Sequence, residues 1–369
     1  MRKTLLLSFI HGFKGDDSTF GSFPEYLRVI VSHALPNINV RVIVYPKYDT
    51  RGDLGECVKV FKEWLLEKVI DLEVENKSSS PTVDPSVRVI LIGHSMGGIL
   101  AADTVLAITT DLAIDSTSHS TDSKPVAFNA LNFPHVQGVL AFDTPYLGLS
   151  PGVVAHINLP SSTLTQLSGL TRTLWRYKTA EPKAGTQKNS QTQLIAASST
   201  EASKLNNWSK IAAIAATSVT LAAGGVAAAY LNREAITNSW SWVGSHLEFV
   251  GCLMNGEGLR KRISRMETLN TELGVGFGNL YTCLGKKAIK NNSVKRTFCN
   301  IPKPQNPKYW HEVVNDDAVD EISAHTAMFH PRQNPGYYMM SQKAKSLIVQ
   351  WTMNEWYLTS VDESFGYSA

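Results

Sequence analysis

Twelve residues, VRVILIGHSMGG at positions 87–98, constrain this chain more than any other stretch. The aliphatic and β-branched run 87–92, broken once by Arg88, predicts a buried strand. It stops at Gly93-His94-Ser95-Met96-Gly97, and residues 98–109 then predict a helix. A strand, a G-x-S-x-G turn and a helix, in that order, put Ser95 on a sharp and strained bend, with glycines on both sides so that strand and helix pack closely. Such a bend lifts Oγ clear of the backbone and leaves the Met96 N–H facing an oxyanion formed at an attacked carbonyl. The five letters recur by chance in many proteins. Their strand-and-helix setting is what makes Ser95 a candidate nucleophile.

The chain before this stretch alternates in the same way. Residues 1–10 begin with Met1-Arg2-Lys3 and continue apolar, as a signal peptide would. The run is short, however, and passes into His11-Gly12-Phe13 without a small-residue cleavage site. It predicts the first core strand, and so an intracellular protein, cytoplasmic or membrane-associated rather than secreted. A glycine just after that strand lets the backbone approach a substrate, which makes the Phe13 amide the candidate second oxyanion donor, beside Met96. A helix is expected over 24–34, a strand over 40–45 and an amphipathic helix over 57–72. Another strand is expected over 136–142, ending in Asp143-Thr144-Pro145-Tyr146-Leu147-Gly148. Strands alternating with helices call for a mostly parallel sheet covered by helices on both faces, the α/β class.

From 151 to 292 the alternation lapses, and this stretch reads as a large insertion in a core made of 1–150 and 293–369. Residues 179–204 are polar, and 111–124 form a Ser/Thr/Asp-rich loop. Residues 211–231 carry no charge and are rich in Ala, Gly and Thr; they read as a buried or cap helix, with a membrane-embedded or membrane-facing helix as the alternative. Residues 240–254 are apolar with two tryptophans, and 259–269 carry Arg260, Lys261, Arg262 and Arg265, a pairing that suits a membrane surface as well as a solvated helix face. A strand over 297–301 and a closing helix over 338–351 complete the core.

Composition removes several classes. A net charge of +3 over 369 residues, with no basic-aromatic array, argues against a nucleic-acid partner. Cys57, Cys252, Cys283 and Cys299 are scattered without C-x-x-C pairing, which disfavours a zinc site and a disulfide framework and fits a reducing compartment. No metal and no cofactor are expected.

A serine hydroxyl at neutral pH needs a base, and the base needs a group to orient it. After a strand-turn-helix nucleophile the partners follow in the order Ser, acid, His. His325 occupies the last loop before the closing helix and is the first candidate for the base, ahead of His330 and His311. Asp143, at a strand's carboxyl end, is the first candidate for the acid. Asp316 is the alternative, followed by Asp320 and Asp317.

The segments H-G-F-x-G, G-H-S-M-G-G and F-D-T-P-Y-L-G, in that order, resemble the lipase-like serine esterases related to GPI inositol-deacylases, in fungal form. The likeness covers residues 5–149 well and the His325 region loosely. It implies an α/β-hydrolase fold and hydrolysis of a carboxylic ester, often of a lipid, with an ester substrate and a membrane surface as the expected partners. Two positions depart from that pattern. Tyr146 stands in place of the histidine of T-P-H-x-G, and Asp143 stands where glycine is common, which resembles the acid placement of pancreatic-type lipases. Within enzymes, a thioesterase or an acyltransferase would use the same groups. Outside enzymes, the competing class is a non-catalytic membrane-associated or scaffold protein that keeps the fold.

Overall fold

Six apolar runs pair into one sheet: β1 (Thr4–Ile10), β2 (Asn39–Val44), β3 (Val87–His94), β4 (Val136–Phe142), β5 (Gly276–Leu284) and β6 (Trp310–Asn315). Their order is β2-β1-β3-β4-β5-β6, and every neighbouring pair is parallel. The structure is a computed structural model, and it describes residues 3–13, 15–48, 53–110, 133–156, 253, 255–288, 295–302 and 308–360.

Strands β1, β4 and β5 are buried along their whole length, as parallel strands covered on both faces must be, and so they read as nearly continuous apolar runs. Side chains still alternate between two cores. Leu6, Ile10, Val89, Leu91, Val139 and Ala141 face the layer that contains α2 (Leu54–Glu75), α3 (Met96–Thr110) and α5 (Gly256–Leu273). Leu5, Leu7, Phe9, Ile90, Ile92, Leu140 and Phe142 face α1 (Phe23–Ala34) and α7 (Tyr337–Trp351). Shorter helices are α4 (Pro151–His156), α6 (Glu321–Thr326) and α8 (Glu355–Leu358).

Helix α3 is apolar all round because it is buried between α2 and α5. Its one carboxylate, Asp103, receives two bonds from the Arg262 guanidinium of α5, at 2.6 and 2.7 Å. Part of the basic run of 259–269 therefore faces protein.

The sheet corrects the boundary of the insertion. Helix α5 and strand β5 lie within residues 151–292, yet β5 is an interior strand between β4 and β6. It is disguised by Gly276 and Gly278, which with Gly138 of β4 make room for the Trp351 indole; a Cβ on Gly276 would lie 2.1 Å from that ring. The expected strand at 297–301 is instead an extended segment with two isolated antiparallel bridges, Cys283 to Thr297 and Leu149 to Cys299. The stretches 111–124, 179–204 and 211–231 lie outside the described residues, as do all but residue 253 of 240–254. Among the described residues no helix is long and apolar enough to cross a membrane.

Chain order reverses between β1 and β3: β1 leads outward to its neighbour β2, and β3 leads to β4 on the other side. A crevice opens at the carboxyl ends of strands where the order switches, and the loops after β1 and β3 meet there.

Candidate active site

Ser95 joins β3 to α3 with φ +55, the left-handed region that L residues rarely adopt. The strained turn is held on three sides. The Ser95 N–H donates to the Phe142 carbonyl at 2.9 Å, and its carbonyl accepts from Thr144 Oγ1 at 2.9 Å. The α3 side is pressed against the β1 loop, since a Cβ on Gly97 would lie 2.2 Å from the Ile10 carbonyl oxygen. Tyr146, the departure from T-P-H-x-G, donates its hydroxyl to the Gly98 carbonyl at 2.7 Å. The T-P-Y segment thus buttresses the elbow.

The loop after β1 arrives on the other flank. A Cβ on Gly12 would lie 2.6 Å from Ser95 Cβ and 3.0 Å from the Met96 nitrogen, so only glycine fits. Met96 opens α3, and its N–H is among the first four, which have no intrahelical acceptor. Phe13, the next residue of the β1 loop, packs partly buried against the core. The two candidate oxyanion residues therefore flank Ser95 from two elements. His11 is buried and its ring stacks on Tyr48 at 4.7 Å, while the Tyr48 hydroxyl donates to the His11 carbonyl at 2.9 Å. Burial holds the His11 imidazole below its usual pKa and the Tyr48 phenol above its own.

Asp143 and His325, 182 residues apart in sequence, meet at this edge. Asp143 directly follows β4 with φ +46 and is fully buried. Its Oδ1 accepts the Thr282 N–H at 2.6 Å and its Oδ2 the Thr282 hydroxyl at 2.7 Å. His325 Nδ1 lies 3.3 Å from Oδ2. A carboxylate only accepts, so Nδ1 carries the proton in this pair. The separation is long for a charge-assisted bond, and bonds of this kind often tighten when substrate arrives. His325 belongs to α6, whose first turn is fixed by a capping box between Asp320 and Ser323.

The His325 ring lies between two others, Phe298 at 3.6 Å and His94 at 4.4 Å between centroids. His94 directly precedes Ser95, so this stack links the candidate base to the elbow. Burial, followed by the charge of His325, pushes the His94 pKa well down and keeps that ring neutral.

The other candidates lie elsewhere. Asp316 accepts the Lys286 N–H at 3.1 Å and pairs with the Lys286 ammonium at 3.7 Å. Asp320 is spent on the cap of α6, Asp317 is exposed, His330 is exposed, and His311 sits on β6 beside Gly278. The sequence reading missed Thr282, Phe298 and Asn279. Buried Asn279 accepts the Thr144 N–H at 3.2 Å and donates to its carbonyl at 2.9 Å, holding the residue after Asp143. The run VGFGNLYTCLG, apolar and bounded by glycines, was the signal for β5 and its two polar residues. Among the described residues no three His, Cys, Asp or Glu side chains are grouped to hold a metal ion.

A parallel sheet covered on both faces, a serine on a left-handed elbow after β3, and a buried Asp–His pair at the same edge define an α/β-hydrolase. The chain belongs to the family described as "Putative serine esterase (DUF676)", which matches residues 2–209. No curated protein matches it in sequence. Among solved structures it is similar to phospholipase PlaB from Legionella pneumophila, with 13% identity over 41% of this chain and 27% of that one, TM-score 0.29. It is also similar to a cutinase-like protein from Cryptococcus sp., with 15% identity over 40% and 55% of the two chains, TM-score 0.23. The peroxisomal α/β-hydrolase Lpx1 from Saccharomyces cerevisiae aligns over 98% of this chain and 81% of its own at 10% identity, TM-score 0.32. This chain thus covers less than two thirds of the first two. At such scores none of the three adds to the topology described above.

Proposed function

We propose that this member of the esterase family is a hydrolase of carboxylic esters, acting through an acyl-enzyme on a lipid-like substrate. Ser95 Oγ attacks the ester carbonyl, and His325 takes the hydroxyl proton on Nε2. Asp143 accepts from Nδ1–H and stabilises the imidazolium that forms. The Phe13 and Met96 amides receive the developing oxyanion. His325 then returns its proton to the departing alcohol, and the carbonyl re-forms as the acyl-enzyme. A water molecule, deprotonated in turn by His325, attacks the acyl-enzyme and frees the acid and Ser95.

One observation carries most of this reading: a buried carboxylate with φ +46, already held by two Thr282 donors, lies 3.3 Å from an imidazole that stacks on the residue before Ser95. A carboxylate so buried and so oriented is costly to maintain unless it has work to do. The motif likeness to GPI inositol-deacylases supports a lipid-like ester, and a membrane surface as the place where it is met. Hydrolysis of nitrophenyl esters from acetyl to palmitoyl tests the proposal. Turnover should rise with acyl length and disappear in Ser95→Ala. Equal turnover at all lengths would overturn the lipid-like substrate, and full turnover in the variant would overturn the mechanism.

A further inference from the structure

Residue His325 lies on a helix of six residues, and among the described residues its ring has one polar partner, at 3.3 Å. The terminal torsion of a histidine is broad and roughly two-fold. A half-turn about it exchanges Nδ1 with carbon Cδ2, and Asp143 then loses its donor. A single long hydrogen bond is weak restraint against that rotation. The flat slot around the ring is stronger, because a half-turn passes through an orientation perpendicular to the slot.

We propose that Phe298 is a positioning residue for His325, its ring face fixing the imidazole plane against His94 so that Nδ1 stays on Asp143. This rests on the proposed role of His325 as base. The Phe298 and His325 rings are 3.6 Å apart and within 8° of parallel; His94 closes the other side at 4.4 Å and 24°. A neutral His94 can face an imidazolium without full charge repulsion, and the π face of Phe298 attracts one.

The wall of the slot is rigid. The Phe298 carbonyl accepts the Ser150 N–H at 3.0 Å, the Arg296 carbonyl accepts the Leu284 N–H at 2.9 Å, and the Asn300 N–H donates to the Gly148 carbonyl at 2.9 Å. Residues 296–300 are therefore tied to the end of β5 on one side and to the loop after Asp143 on the other. The same segment grips α6: the Arg296 guanidinium makes two bonds, 2.9 and 2.7 Å, to the buried Glu321 carboxylate at the start of that helix. Phe298, His325 and the acid loop are thus held as one body.

Phe298→Leu keeps apolar bulk and removes the flat face, whereas Phe298→Tyr keeps the face. In the leucine variant kcat on a nitrophenyl ester should fall about ten- to a hundred-fold, as a misplaced reacting group does. Its KM should stay within about two-fold, since ground-state binding is untouched. Phe298→Tyr should recover most of the lost kcat. A second readout needs no activity. The His325 ring protons, observed by NMR with labelled histidine, should lie upfield in the intact protein and in Phe298→Tyr, and move downfield in Phe298→Leu. Unchanged kcat in an active, folded Phe298→Leu protein would overturn the positioning role, as would an equal loss in Phe298→Tyr. Should the intact protein neither hydrolyse esters nor react with a fluorophosphonate, the hydrolase reading fails, and the ring shifts alone decide whether the slot exists. His325 protons without upfield displacement would then overturn it, even if Phe298→Leu does not fold.

Discussion

The two halves of the active edge are built by different means. Around Ser95 the geometry is imposed mainly by backbone pressed on backbone, with Gly93 and Gly97 leaving no room for a side chain, and the Thr144 and Tyr146 hydroxyls brace the turn. Around His325 it is imposed by side chains: Thr282 on Asp143, Phe298 on the imidazole, and Arg296 on Glu321. The first half spans contiguous motifs, and the second gathers residues from β4, β5, the segment after it and α6. A backbone-built site should break as a fold, and a side-chain-built site as an activity.

The largest effect is expected in the first half. Gly97→Val would set a Cβ 2.2 Å from the Ile10 carbonyl oxygen and 2.7 Å from that of His11, neither of which can rotate away. The cost should exceed about 3 kcal/mol, the upper end for overpacking. The urea midpoint of the variant reads it directly, and a midpoint equal to that of the parent would show that elbow and β1 loop are not packed as described.

Loss of the charge on Asp143 should leave stability nearly unaffected and strike turnover. Asp143→Asn is expected to lower kcat roughly 10⁴-fold, as for the corresponding change in serine proteases. Asp316→Asn is the control: its exposed pairing with Lys286 is of a kind worth little, so turnover should stay within about two-fold. The reverse ranking would move the acid to Asp316.

A smaller loss is expected from Thr282→Val. This change removes the hydroxyl 2.7 Å from Asp143 Oδ2 while the Thr282 N–H remains on Oδ1. A hydrogen bond to a charged group is worth about 1.5–3 kcal/mol, so kcat should fall about ten- to a hundred-fold. A kcat matching the parent's would show that Thr282 does not hold the carboxylate in its working position.

The same division explains what the sequence disclosed. Strands β1, β3 and β4 were legible because a strand buried on both faces is a nearly continuous apolar run, and the elbow because its glycines are forced. Strand β5 was hidden, since its glycines exist to admit Trp351, whose own position is 75 residues away from Gly276. Strand β6, WHEVVN, carries a histidine and a glutamate because it lies at the edge of the sheet. With β5 unrecognised, Thr282 and Asn279 had no place at the site. Asp143 could be singled out from its strand end and His325 from chain order. Their meeting depends on the fold, as does the stacking of Phe298, because neither leaves a local spacing to read.

The central claim is that Ser95 is the nucleophile of a serine hydrolase. The direct measurement is to incubate the intact protein with a fluorophosphonate, digest it and locate the adduct by mass spectrometry. The proposed mechanism predicts a single phosphonyl group on the peptide carrying Gly93-His94-Ser95-Met96-Gly97, at Ser95, and no adduct in Ser95→Ala. An adduct on another serine, or an intact protein that hydrolyses esters yet leaves Ser95 unmodified, would contradict it.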